Sequence, residues 1–142
     1  KCPRIAFGHS AKYIYRKRND SISNDGFSNK KFDIITFTDT MCDDIQSKYP
    51  YLLNSINLRR MHARFTVLRQ LLLAKNLSAT QKASKEKIVD YLIHHKDFIT
   101  KNTCANFRDK VALLVLMIGE PVFALLWRAY VIFTHYFGKF FR

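Results

Sequence analysis

The order of apolar and polar positions divides the chain into a short extended start and a helical remainder. Residues 5–7 and 13–15 are brief apolar runs on either side of Gly8, His9 and Ser10, a pattern that predicts a small hairpin or two edge strands. From 19 to 29 asparagine, aspartate, serine and Gly26 dominate and mark a loop. Beyond it the spacing turns helical. Ser28 suits the N-cap of a first helix over 29–47, in which Phe32, Ile35, Thr36, Met41, Cys42 and Ile45 fall near helical spacing. Tyr49-Pro50 ends that helix, because proline disfavours helical geometry in the residue before it. A stronger helix is predicted over 51–75, with Leu52, Leu53, Ile56, Met61, Phe65, Leu68 and Leu72 as a wide stripe and Arg59, Arg60, Arg64 and Arg69 elsewhere on its circumference. Residues 77–80 read as a turn, and a third helix over 83–98 turns Ile88, Tyr91, Leu92 and Ile99 inward.

The last segment, 107–142, has a different texture. Residues 111–133 form a run of 23 positions that is almost wholly apolar, long enough for a membrane span. Glu120 and Arg128 would both sit near mid-bilayer, and Gly119 with Pro121 splits the run into two shorter helices, so a span is not expected. The first piece suits the central helix of a small bundle, with Phe123, Leu126 and Trp127 capping its core. The second mixes rings with cations. Trp127, Tyr130, Phe133, Tyr136 and Phe137, then Phe140 and Phe141, are interleaved with Arg128, Lys139 and Arg142. That composition resembles an interfacial helix, whose rings sit at headgroup depth while its cations meet anionic lipid. These ten residues are the predicted membrane-surface contacts.

Composition narrows the class. A chain that is 48% hydrophobic and 25% charged folds rather than staying disordered, and 142 residues suffice for one domain. The net charge of +13 favours an anionic partner, and its density is greatest in residues 1–31, which hold eight basic and two acidic side chains. Three cysteines, Cys2, Cys42 and Cys104, have neither disulfide-framework nor zinc spacing and fit a reducing compartment.

Candidate chemistry is concentrated in residues 12–23. A strand of alternating aromatic and aliphatic residues (Tyr13, Ile14, Tyr15) runs into Arg16 and Arg18 and then a polar turn with Ser21 and Ile22. Two guanidiniums and a hydroxyl at a strand end suit phosphate oxygens, because arginine offers a planar fork of donors that pairs bidentately with them. The same pattern also describes a solvated basic strand exit. Elsewhere the candidates are few: His94 and His95 are adjacent and point apart, His62 lies on the arginine-rich helix, and Asp43 and Asp44 face apart on a helix and cannot act as an acid/base pair.

The string Tyr-x-Tyr-Arg-x-Arg-x-x-Ser-Ile, here Tyr13, Tyr15, Arg16, Arg18, Ser21 and Ile22, resembles the segment that ends the catalytic domain of bacterial family-two glycosyltransferases, inverting GT-A enzymes of surface polysaccharide assembly. The rest of the chain is similar to the helical tail of those enzymes: Phe27, Ser28, Lys30 and Lys31, then Lys48, Tyr49 and Pro50, then the arginine-rich helix ending Leu-Arg-Gln-Leu-Leu-Leu. The resemblance implies a nucleotide-sugar donor, a glycan or lipid-linked acceptor and a divalent Mn or Mg ion in the whole enzyme. It implies donor-diphosphate or acceptor contacts at Arg16, Arg18 and Ser21, with Tyr13, Tyr15 and Ile22 in support. No Asp-x-Asp metal motif is present in the sequence, so no cofactor and no catalytic residue is expected within this chain, which reads as the carboxy-terminal portion of a longer enzyme and inactive alone.

The expected fold is therefore mainly α: a short strand pair left from a GT-A catalytic domain over 1–27, a helical bundle-like extension over 28–106, and amphipathic aromatic and basic helices over 107–142. The expected location is cytoplasmic, peripheral to the inner face of the cell membrane. A non-catalytic basic helical module for membrane or protein docking is the alternative. Nucleic-acid binding ranks third, since four arginines on one helix come with no recognisable DNA-binding module, and nucleic acid is not an expected partner.

Overall fold

The computed structural model describes residues 27–137. They form six α-helices: α1 (Asp33–Lys48), α2 (Leu53–Leu73), α3 (Ala79–His94), α4 (Asp97–Thr100), α5 (Phe107–Ile118) and α6 (Glu120–Phe137), with single 3-10 turns at Asn29–Phe32 and Pro50–Leu52. Among the described residues there is no strand. The predicted strands at 5–7 and 13–15, and most of the loop after them, lie outside the described residues.

Backbone chemistry sets the helix ends. The hydroxyl of Ser28 caps nothing; its carbonyl accepts from the Lys31 amide at 3.0 Å and starts a 3-10 turn that leads into α1. Tyr49 ends α1, and Pro50 opens the next turn at its first position, where a missing N–H costs no hydrogen bond. The turn expected over 77–80 is shorter than predicted. Ser78 and Gln81 form a capping box, the serine hydroxyl accepting from the Gln81 amide at 3.2 Å and the glutamine oxygen from the Ser78 amide at 3.0 Å. This starts α3 at Ala79, four residues before the expected start, on positions whose polar residues hide the helical period. The Gln81 amide group also donates to Asn29 Oδ1 at 2.8 Å, joining α3 to the first turn of the described chain.

The centre of the bundle is α2. Met61, Phe65, Val67, Leu68 and Leu71 are fully buried on it, and Leu92 (α3), Ile99 (α4), Leu113 and Leu116 (α5) and Phe123 (α6) close around them. The expectation that 111–118 would be the central helix is corrected: α5 buries Asp109, Leu113 and Leu116 along one stripe only. An apolar run is buried on all sides only if neighbours surround it, and α2 has α1, α3, α4 and α6 against it.

Candidate functional site

The outer face of the α5–α6 hairpin is apolar, and no described residue covers it. On α5, Phe107, Val111, Leu114 and Ile118 follow i, i+4, i+7, i+11 spacing and line up opposite the buried stripe, with Phe107 81% and Ile118 74% exposed. On α6, Val122, Leu125 and Ile132 turn outward, Leu125 being 69% exposed. Gly119, with φ 158° and ψ 145°, makes the one-residue turn between the two helices. Monomeric proteins rarely leave so contiguous an apolar surface without using it.

Between the hairpin and α2 this surface opens into a cleft of about 250 Å³. Val111, Ala112 and Val115 of α5 form one wall, and Phe123, Leu126, Trp127 and Tyr130 of α6 the other. Two arginines complete it: Arg69 from α2 and Arg108 from the first turn of α5. The Arg69 guanidinium lies over two rings, 5.5 Å from the centre of Phe65 and 4.9 Å from that of Trp127. Burial, and after it the charge of Arg108, pulls its pKa below the usual arginine value, only partly offset by Asp109. Asp109 is itself taken, its carboxylate 2.9 Å from His62 Nε2. Neither arginine has an ion-pair partner among the described residues, and the buried Arg69 Nε and Trp127 Nε1 find no acceptor there.

The predicted contacts divide three ways. Arg16, Arg18, Ser21, Tyr13, Tyr15 and Ile22 lie outside the described residues, as do Lys139, Phe140, Phe141 and Arg142. Tyr136 and Phe137 belong to α6, and Tyr130 and Phe133 are exposed on it. Trp127 is half-buried in the cleft with Tyr130 stacked on it at 5.4 Å, and Arg128 donates from Nε to the Leu72 carbonyl at 3.0 Å. Sequence reasoning missed the cleft. Arg69 was visible only as one of four arginines on α2, and its place in one cleft with Arg108 joins positions that no local pattern links.

The other charged groups serve the fold. Arg64, 9% exposed, makes a bidentate pair with Asp39 at 3.0 and 2.7 Å and stacks 3.7 Å over Tyr91. Arg60 pairs with Asp43 at 2.6 Å, and Asp44 with Lys48 at 2.6 Å, so the two adjacent aspartates do face apart. Arg60 and Arg64 are thus both turned toward protein. Lys85 holds Glu120 at 2.5 Å, which gives the acidic residue in the apolar run a partner at the start of α6. His95 stacks on Tyr91 at 4.1 Å, and no group of three His, Cys, Asp or Glu able to hold a metal ion occurs among the described residues. Cys42 is buried and Cys104 exposed, both as free thiols.

The described residues thus make an all-helical domain with an apolar outer face, and no helix among them is long and apolar enough to cross a membrane. No family model, curated protein or solved structure matches the chain.

Proposed function

We propose that this chain is the carboxy-terminal part of an inverting, nucleotide-sugar-dependent glycosyltransferase of family two, and that its helical extension holds the enzyme on an anionic membrane surface at the cytoplasmic side. The enzymatic half of the reading is supported by the Tyr13–Ile22 string alone. The membrane half is carried by the outward stripe Phe107, Val111, Leu114 and Ile118 with its continuation on α6. Apolar side chains of this kind gain by entering the acyl boundary, while a net charge of +13 is drawn to anionic headgroups within a Debye length. In such an enzyme a divalent metal would offset the diphosphate charge and a carboxylate would activate the acceptor hydroxyl, both contributed from outside this chain.

Flotation with anionic and neutral liposomes tests the membrane half. The chain binds anionic vesicles, binding weakens as salt is raised, and a Leu114→Glu, Ile118→Glu, Leu125→Glu triple variant stays in the aqueous fraction while retaining its helical circular dichroism. Equal flotation of the variant, or none by the wild type, overturns it. For the enzymatic half, Arg18→Ala in the longer protein lowers use of the nucleotide-sugar donor without lowering the melting temperature; unchanged donor use removes the phosphate role from Arg18.

A further inference from the structure

The cleft adjoins the outward stripe, sharing Val111 with it, and its parts belong to one kind of ligand. Apart from its two arginines its walls are aliphatic and aromatic, which suits an alkyl chain as the group that fills it. A cleft of about 250 Å³ has room for part of one alkyl chain. Arg69 and Arg108 both line it, and among the described residues no carboxylate pairs with either. Asp109, whose charge acts on Arg69, is engaged by His62 at 2.9 Å. Two unpaired cations beside an apolar slot complement a dianion carried on a chain. A phosphate monoester has roughly −1.5 to −2 charge at neutral pH, against a single charge for a carboxylate, and matches the pair of guanidiniums better.

We propose that the cleft between α2, α5 and α6 binds a single amphiphile with a phosphate monoester head, the head held by Arg69 and Arg108 and the chain lying along Val111, Val115, Phe123 and Leu126. The site does not depend on the membrane reading. It recognises one molecule through a charged head and a chain lying in the cleft, whereas the outward stripe meets a surface.

Trp127 is the sole tryptophan of the chain and lines the cleft, so its emission reports occupancy directly. The 142-residue chain is titrated with dodecyl phosphate below its micellar concentration. The emission shifts saturably with one-to-one stoichiometry. Dodecanol binds at least tenfold more weakly, dodecanoate at least threefold more weakly, and inorganic phosphate leaves the emission unchanged. Arg69→Gln and Arg108→Gln each weaken dodecyl phosphate at least tenfold; Arg108 is exposed, so its variant keeps the fold even if removal of the half-buried Arg69 does not. Equal binding of dodecanol or dodecanoate, equal binding of inorganic phosphate, or an Arg108→Gln variant indistinguishable from wild type each overturns the proposal. The Leu114, Ile118, Leu125 triple variant loses vesicles and keeps dodecyl phosphate, which separates failure of this site from failure of the membrane surface.

Discussion

Arg128 of α6 donates from Nε to the carbonyl oxygen of Leu72, 3.0 Å away and 56 positions earlier, in the last turn of α2. The last four carbonyls of a helix have no partner inside it, and a cation there also meets the negative end of the helix dipole. The charge that interrupts the apolar run of α6 therefore closes the end of the central helix. Arg128→Met, which keeps the stem and loses the donor, is expected to destabilise the fold by about 1 kcal/mol. Urea unfolding of the two proteins measures it, and an unchanged midpoint would make the contact incidental.

The Arg64–Asp39 pair ties α1 to α2 where the guanidinium is nearly closed off from solvent. Removing the carboxylate strands a buried charge, so Asp39→Ala is expected to cost about 2–3 kcal/mol, below the full penalty for an enclosed pair because Asp39 is partly exposed. Arg64→Lys keeps the charge but loses both the second hydrogen bond and the flat contact with Tyr91, and is expected to destabilise as well. Denaturant midpoints of the single and double variants give the coupling; strictly additive losses would contradict it.

Ser78→Ala removes one half of the capping box and is expected to cost about 1 kcal/mol. Hydrogen exchange should then rise first in the amides of the opening turn of α3. Protection unchanged at Gln81 would mean that the box contributes little.

At Gly119 the backbone angle, not crowding, sets the constraint: an added Cβ would meet only Pro121 Cδ at 3.7 Å, an ordinary contact, while φ of 158° with ψ of 145° is a region glycine alone enters freely. Gly119→Ala is expected to lower stability by about 1–2 kcal/mol. A thermal melt with no shift would show that the α5–α6 turn relaxes into another geometry.

Much of the helix pattern was legible because its stops are local. Pro50 has no N–H to give and restricts Tyr49, and Gly119 with Pro121 cannot continue a helix, so the breaks after α1 and α5 are written at the residues themselves. The start of α3 was misjudged because Ala79 to Lys87 carries few apolar residues and only the Ser78–Gln81 box announces it. The role of Glu120 was not legible either; its partner Lys85 lies 35 positions away on α3.

What the sequence alone determined about this protein is that helices break at Tyr49–Pro50 and at Gly119–Pro121, that it is mainly helical over the described residues, and that its carboxy-terminal run is too interrupted to be one membrane span. Only the tertiary structure decided that α2 and not α5 is central, that Arg60 and Arg64 turn toward protein, and that Arg69 and Arg108 line one apolar cleft. The physical reason is range. A backbone restriction travels with its own residue, whereas burial and charge pairing depend on which distant faces close on one another.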